Sequence, residues 1–410
     1  MLQAPDLSIL VPQHCGDLDY FPNDSLGLVK LDLTFDAGAI RQQHLSQAHA
    51  ASQLVGEATR SMDAQAVAEF LDFRGIVLER SADTYSSCLS FYFLRRYADE
   101  LLPLIRQMVE EPVISEQLFA AYKSRRMQQV QQNMQKTAYV ARNRFYEVLY
   151  GPDHPLGRHA TPEDIERLTL EQVRQFVADH YRLDEATVLL AGQTDDALLS
   201  SLKSRRFRPT FPASATVGGV RPSRPVDIIP MPGVQTSLRM GCVLPFTWEH
   251  PDYAPFMVLS TVLGGYFGSR LMRNLREDKG YTYGIYAQTQ PYRGSIVFAI
   301  TADVGNEVAT ASLTETLTEI RRLLDEPVPG EELERVRNFM MGDFIRSIDG
   351  TFELSERYRQ MQVLGIDERF SANYVEAVQS VTPAQLLEVA RRYLPTLNVV
   401  AAGFPAMPIR

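Results

Sequence analysis

The sequence of 410 residues predicts an α+β protein made of two homologous, duplicated domains, each an antiparallel-rich sheet packed with helices. Two observations lead to this fold class. Pairs of segments resemble each other at a nearly constant spacing along the chain. Within each half, strand-like runs and helix-like runs are grouped rather than alternating, which favours α+β over a doubly wound sheet. The length and the 45% of hydrophobic residues are sufficient for two or three separate cores.

Two pairs of segments carry the repeat. The segment "RQMVEEPVISEQLFAAYKSRRMQ" begins at Arg106 and recurs as "RRLLDEPVPGEELERVRNFMMG" at Arg321, an offset of 215 residues. The segment "LTLEQVRQFVADHYRLDEATVLLAG" begins at Leu168 and recurs as "VTPAQLLEVARRYLPTLNVVAAG" at Val381, an offset of 213 residues. Each member of the second pair has a threonine N-cap, an amphipathic helix and a short apolar strand that ends in glycine. Two independent matches at similar offsets indicate a duplication.

Alternating apolar and polar residues predict the strands of each half. The runs "GLVKLDLTFDAG" and "SSCLSFYFL" lie in the first half, and "TSLRMGCVLPF" and "GSIVFAITADV" lie in the second. Between the halves, "RPTFPASATVGGVRPSRPVDIIPMPG" is rich in proline and glycine, which predicts a linker or an extended segment lying on one domain. We therefore expect an N-terminal domain at 1–206, a linker at 207–233 and a C-terminal domain at 234–410.

Composition excludes several classes of function. The net charge of −9 argues against a nucleic-acid-binding surface, and no apolar run approaches the roughly 20 residues of a membrane span. The cysteines, Cys15, Cys88 and Cys242, form no C-x-x-C pair, so neither a disulfide framework nor a cysteine zinc site is expected. The N-terminus does not have the pattern of a signal peptide. The expected compartment is cytoplasmic by default, or periplasmic if a signal peptide has been removed.

The stretch "SQAHAASQLVGEATRS", residues 46–61, is similar to a zinc-peptidase helix but lacks the glutamate base and the second histidine ligand. In the motif H-x-x-E-H, a glutamate base and a second histidine follow the first histidine at the third and fourth positions. After His49 these positions hold Ser52, which is too weak a base, and Gln53, whose neutral amide is a poor zinc ligand. Catalytic zinc needs three protein ligands. We therefore expect no metal site at His49, Ser52 and Gln53.

The region that would be searched for a third ligand is positively charged. From Gln117 to Tyr146 there is no aspartate or glutamate. The same region holds six basic residues, namely Lys123, Arg125, Arg126, Lys136, Arg142 and Arg144. A single long helix with this composition would attract acidic peptides or an acidic partner, or would simply be a solvated face. His154, His159 and His180 lack the spacing of a metal pair, so we expect them to be structural or exposed.

These residues resemble the pitrilysin-like zinc peptidases, which include mitochondrial processing peptidase and its bacterial relatives. The segment "AHAASQLVGEAT" is similar to the family pattern "AHFLEHMLFKGT" and departs from it at Ser52 and Gln53. The segments "YGPDHPLGR", "VLLAG" and "VLGGYFGSRLMRNLREDKGYTYGIYA" also resemble stretches of the family. The likeness covers nearly the whole chain and implies two homologous α+β domains.

In that family, proteolysis is shared between two homologous units. One unit carries H-x-x-E-H, and the other contributes an arginine and a tyrosine. Carried over to "REDKGYTY", the resemblance implies that Arg276 and Tyr283 bind substrate. A guanidinium can donate to a substrate carbonyl, and a phenol can donate to an oxyanion. Alternatively, Arg276 pairs with the adjacent Glu277 or Asp278, and Tyr283 is an ordinary strand aromatic.

The resemblance thus implies a non-catalytic subunit of a heterodimeric zinc metalloendopeptidase. The zinc would be held by a homologous catalytic subunit, and the substrate would be an unfolded peptide. Two alternatives remain open. One is a non-proteolytic structural or assembly subunit that resembles core proteins of respiratory complexes, and the other is a peptide-binding homodimer.

Overall fold

The computed structural model describes residues 7–23, 25, 27–202, 226–367 and 369–403. Six strands belong to the first half: β1 (Gln13–Cys15), β2 (Leu18–Pro22), β3 (Leu28–Phe35), β4 (Val77–Ala82), β5 (Ser87–Leu94) and β6 (Thr187–Gly192). Among the described residues of this half, eight α-helices accompany the strands: α1 (Gln47–Leu54), α2 (Ala64–Phe73), α3 (Ala98–Glu110), α4 (Glu116–Met134), α5 (Thr137–Tyr150), α6 (Pro162–Arg167), α7 (Leu170–His180) and α8 (Asp196–Ser201).

The described part of the second half also consists of a set of strands and a set of helices. Its strands are β7 (Asp227–Pro230), β8 (Gln235–Leu244), β9 (Thr282–Tyr292), β10 (Ser295–Gly305) and β11 (Asn398–Gly403). Its α-helices are α9 (Tyr253–Ser260), α10 (Ala309–Asp325), α11 (Gly330–Arg346), α12 (Thr351–Leu364), α13 (Arg369–Ser380) and α14 (Pro383–Tyr393). Two π-helical segments, Thr261–Gly265 and Met272–Asp278, lie between α9 and β9. The four runs predicted as strands form β3, β5, β8 and β10.

The two sheets have the same topology. The first has the strand order β1-β2-β6-β3-β5-β4, and the second has the order β7-β11-β8-β10-β9. In each sheet one pair is parallel, β2 with β6 and β7 with β11, and every other neighbouring pair is antiparallel. Removing β1 from the first sheet makes the two orders equivalent strand by strand. The predicted α+β fold with two duplicated, antiparallel-rich units is confirmed.

The threonine N-caps and the strand-terminal glycines of the sequence repeat have the structures predicted for them. Thr169 accepts a hydrogen bond from the backbone N–H of Gln172, whose side chain bonds back to the backbone of Thr169, and Thr382 forms the same capping box. Gly192 and Gly403 end β6 and β11 with φ values of 100° and 137°. A Cβ atom at Gly192 would lie 2.1 Å from a carbonyl oxygen of the neighbouring strand, so glycine is required there.

The two halves exchange one helix each. Helix α5 of the first half packs on β8 and β11 of the second sheet, and helix α12 of the second half packs on β2 and β6 of the first sheet. Phe145 on α5 belongs to a buried cluster with Val243 and Val400 of the second sheet. On α12, the hydroxyl of Tyr358 donates to buried Asp19 at 2.8 Å. Because α5 and α12 begin 214 residues apart, at Thr137 and Thr351, the exchanged helices occupy equivalent positions in the repeat.

One sequence prediction is wrong. The positively charged region from Lys123 to Arg144 is not a single helix, because the backbone of Lys136 is extended (φ −94°, ψ 123°) between α4 and α5. Helix α4 remains against α1 and α6 of the first half, whereas α5 crosses to the second sheet. The region contains neither proline nor glycine, so the break follows from the tertiary packing rather than from a local signal.

Only the end of the predicted linker lies within the described residues. Residues 227–230 form β7, which pairs with β11, and Arg144 on α5 donates to Asp227 at 2.6 Å. The remaining predicted linker residues up to 225 lie outside the described residues. Among the helices that are described, none has the length and hydrophobicity to span a membrane.

Candidate functional site

His49 lies on α1 and faces α4. Its Nδ1 atom is 2.9 Å from the hydroxyl of Tyr122. Burial and the nearby Arg126 guanidinium lower the pKa of His49 to about 4, so the imidazole is neutral near pH 7. Ser52 is fully buried, and its hydroxyl donates to the carbonyl of His49 at 2.9 Å. The side chains of His49 and Ser52 on α1 are therefore both hydrogen-bonded to other groups of the chain.

The residues around His49 do not fit a zinc ion. Tyr122 and Arg126 of α4 lie beside the imidazole, and a guanidinium repels a dication. No group of three or more histidine, cysteine, aspartate or glutamate residues is placed to hold a metal in the part of the chain that the structure describes. Since neither Ser52 nor Gln53 supplies a base or a second ligand, we assign this chain no hydrolytic step through zinc.

The other histidines predicted to be structural contact aromatic rings or line a cavity. His154 stacks on Tyr150 with ring centroids 4.8 Å apart, and His180 contacts Phe176 at 4.5 Å. His159 lines a cavity beside His49. Burial lowers the pKa of all three imidazoles below the usual value, so they are neutral near pH 7.

Arg276 lies on the π-helix Met272–Asp278 and contacts an aromatic ring. Its guanidinium is 4.6 Å from the ring centroid of Phe267, which is 56% exposed. Within the described ranges Arg276 forms no ion pair, and neither Glu277 nor Asp278 bonds to it. Its neighbour Arg273, by contrast, reaches Glu332 at 3.9 Å. Arg276 is thus oriented by a cation–π contact and keeps its hydrogen-bond donors available.

A β-bulge directs Tyr283 into solvent. Ile285 pairs with Ala302, but Thr282 pairs with Val304, so Tyr283 and Gly284 together face a single residue of β10. A bulge of this kind redirects a side chain away from the regular alternation of a strand. As a result Tyr283 is 92% exposed.

The side chain of Thr282 stabilises the bulge. Its Oγ1 atom lies 2.9 Å from the carbonyl oxygen of Gly284 and 2.8 Å from that of Asp303, and it accepts a hydrogen bond from the N–H of Gly284. Thr282, Asp303 and Phe267 were not among the residues predicted from the sequence. The glycine after Tyr283 was the available local signal, since glycine inside a strand pattern often marks a bulge.

The elements that carry Arg276 and Tyr283 pack against each other. The backbone N–H of Tyr281 donates to the carbonyl of Leu275 at 2.8 Å, so β9 begins against the helix of Arg276. Close packing continues at Gly264, where a Cβ atom would lie 2.5 Å from the backbone nitrogen of Ala287 on β9. Arg276 and Tyr283 therefore lie on adjoining elements, and their side-chain polar groups form no hydrogen bond or ion pair with the described residues.

Comparisons with known proteins agree with this architecture. Residues 167–340 match the family described as the peptidase M16 inactive domain. The chain is 21% identical to "Non-peptidase homolog YmxG" of Helicobacter pylori, with 88% of this chain and 85% of that protein covered. It is 22% identical to "Uncharacterized zinc protease YmxG" of Bacillus subtilis, over 77% of this chain and 78% of that protein. A crystal structure of a peptidase M16 inactive domain from Pseudomonas fluorescens shares the fold, with a TM-score of 0.82, 21% identity and 96% and 97% of the two chains covered.

Proposed function

We propose that this chain, which belongs to the pitrilysin-like peptidase M16 family, is the non-catalytic subunit of a heterodimeric zinc metalloendopeptidase. Its degenerate motif supplies neither the zinc ligands nor the base for hydrolysis. A homologous partner with an intact H-x-x-E-H motif would hold the zinc and activate the water. The chain described here would contribute groups that bind the substrate and stabilise the transition state.

The proposal rests on two hydrogen-bond donors of the second half, the Arg276 guanidinium and the Tyr283 hydroxyl, which have no acceptor among the described residues. Tyr283 is 92% exposed on a bulge that positions it, and Arg276 is held over Phe267 without an ion pair in the described part of the chain. A guanidinium can donate a charge-assisted hydrogen bond to a substrate carbonyl. A phenol donates one hydrogen bond, which strengthens as charge develops on a tetrahedral oxyanion.

The edge of the second sheet suits an extended peptide. Strand β9 is the last strand of that sheet, and its outer edge pairs with no other strand among the described residues. An unfolded peptide can add to such an edge through main-chain hydrogen bonds, independently of its sequence. Gln288 and Gln290 on β9 are exposed and offer further polar contacts.

The test is peptide cleavage by this chain together with a homologous subunit that carries H-x-x-E-H, with zinc measured in the purified complex. We expect only the mixture to cut, with zinc bound by the partner. In the complex, Arg276→Ala and Tyr283→Phe should each lower kcat/KM by about 100- to 1000-fold, the range for loss of one donor to an oxyanion. Arg273→Ala, on the same π-helix as Arg276, and Tyr281→Phe, one residue before β9, are matched controls and should remain close to wild type.

Other outcomes favour the alternatives. If the complex assembles and neither Arg276→Ala nor Tyr283→Phe changes its activity, the chain is a structural subunit. Saturable peptide binding by a homodimer of this chain, with no cleavage in any mixture, would favour the peptide-binding reading.

A further inference from the structure

We propose that the cavity beside His49 is a binding site for acidic residues of an extended polypeptide. The cavity has a volume of about 480 Å³ and lies between the two halves, with lining residues from α1, α4, α5 and the loop after α5. It is separate from the surface of Arg276 and Tyr283, neither of which lines it. The inference does not depend on the proposed role in proteolysis.

Three arginines without carboxylate partners line this cavity. They are Arg126 on α4, Arg142 on α5 and Arg158 in the loop that follows. Arg126 bonds to the side-chain oxygen of Gln129 at 2.8 Å, while its buried Nε atom has no hydrogen-bond partner. None of the three forms an ion pair within the described ranges. Guanidinium groups are weakly hydrated and match carboxylates through two parallel hydrogen bonds, so an acidic ligand would satisfy them.

The described lining of the cavity has three arginines and only one carboxylate. The one carboxylate in its described lining, Asp83, accepts hydrogen bonds from the backbone N–H groups of Tyr85 at 2.7 Å and Ser86 at 2.8 Å. Burial lowers the pKa of both His49 and His159, so the imidazoles add no charge near pH 7. The net field in the cavity is therefore positive.

A buried hydroxyl in the same cavity also lacks a partner. Ser46 lines the cavity and is 5% exposed, and its Oγ atom forms no hydrogen bond with any residue that the structure describes. It precedes α1 in the left-handed region at φ 71°, an unfavourable conformation for serine, and its side chain does not cap the helix. A buried donor without a partner costs roughly 1–3 kcal/mol. A ligand oxygen in the cavity would remove that cost.

The shape of the cavity favours a polypeptide over a small anion. Arg142 and Tyr146 also line a second cavity of about 590 Å³, which runs along β9 and β10 past Gln288 and Gln290. The two cavities therefore share one wall on α5. A ligand with several residues can place a carboxylate among the arginines and continue toward the second sheet, whereas a single phosphate would fill only part of the first cavity.

The experiment is calorimetric titration of the full chain, without a partner, using three probes. They are a peptide of alternating glutamate and alanine, the same peptide with glutamine in place of glutamate, and inorganic phosphate. We expect the glutamate peptide to bind at least tenfold more tightly than the other two probes and to weaken as salt is raised. Arg142→Gln and Arg158→Gln should each weaken binding about tenfold. Arg125→Gln is the matched control, because Arg125 is an exposed residue of α4 outside the cavity.

Each other outcome overturns the proposal. Equal binding of the glutamine peptide would exclude recognition of acidic residues, and equal loss of affinity in Arg125→Gln would indicate general attraction to a positive surface. Binding of phosphate as tight as that of the glutamate peptide would make the cavity a small-anion site. Since no partner subunit is present, these results are independent of whether the assembled complex cleaves peptides.

Discussion

At the scale of single residues, His49 shows how a motif position can be kept while its chemistry changes. The imidazole is hydrogen-bonded to Tyr122 and lies near Arg126, and both neighbours come from α4. A metal-binding histidine directs a lone pair at the ion and donates its other ring N–H to a carboxylate, a carbonyl or water. Here the nearest charge is positive, and Ser52 bonds to its own helix. Restoring only the two missing motif residues would therefore leave the cationic side of the site unchanged.

The depressed pKa of His49 predicts a pH dependence of stability. The folded pKa is about 4, below the ordinary value of 6.5. Between these values the unfolded chain binds a proton that the folded chain does not, so the free energy of unfolding falls as the pH is lowered from about 6.5 to 4. The largest effect is roughly 3 kcal/mol. Urea unfolding at pH 7.5, 5.5 and 4.5 should show a shallower decline for His49→Gln than for wild type.

A matched control for this experiment is His44→Gln, which removes an exposed histidine close to the same helix. It should retain the decline seen in wild type. An identical pH profile for His49→Gln and wild type would show that His49 is not the group responsible.

At the scale of elements, the bulge in β9 explains how a strand exposes Tyr283 to solvent. Regular alternation would give Tyr283 the same face as Ile285 and Ala287, both of which are buried. Two residues opposite one on β10 remove it from that face, and the Thr282 hydroxyl holds the geometry. The position of the aromatic ring thus depends on the hydroxyl of the preceding residue in the chain.

Thr282→Val should disturb the site without altering either proposed donor. The substitution keeps the shape of the side chain but removes its contacts to the backbone of Gly284 and Asp303. We expect a loss of about 1 kcal/mol in the free energy of unfolding. In the assembled complex, kcat should fall while assembly is retained, because Tyr283 is no longer held in place. Thr289→Val on the same strand, where the hydroxyl contacts the sulfur of Met257, should leave kcat unchanged.

Individual helices and strands differ in how far their features could be predicted from the sequence. The capping threonines and the terminal glycines Gly192 and Gly403 were predictable because their signals span only a few residues. The bulge was not predicted, since it depends on the register between β9 and β10. The break at Lys136 was missed for a similar reason: nothing in the local sequence opposes a continuous helix, and packing on the second sheet decides it.

At the scale of the whole molecule, the duplication was predictable but the exchange of helices was not. The repeat is visible because both halves retain similar segments at similar spacing. The sequence does not show that α5 and α12 each cover the sheet of the other half, because this requires contacts between residues far apart in the chain. The arginine-lined cavity depends on this exchange. Arg126 on α4 and Arg142 on α5 both line it, and α5 is the helix that packs on the second sheet.

The exchanged helices predict that the two halves unfold together. Phe145 on α5 is 1% exposed and packs so closely on the second sheet that a Cβ atom at Gly241 of β8 would lie 2.9 Å from its ring. Phe145→Ala removes this anchor and should cost about 3–5 kcal/mol. Hydrogen exchange should then show loss of protection in β8 and β11 as well as in the first sheet. Phe73→Ala, at an 87% exposed position of the first half, should change neither sheet. If Phe145→Ala accelerates exchange in β8 and β11 and leaves the first sheet protected, the halves are independent folding units and the exchanged helices do not couple them.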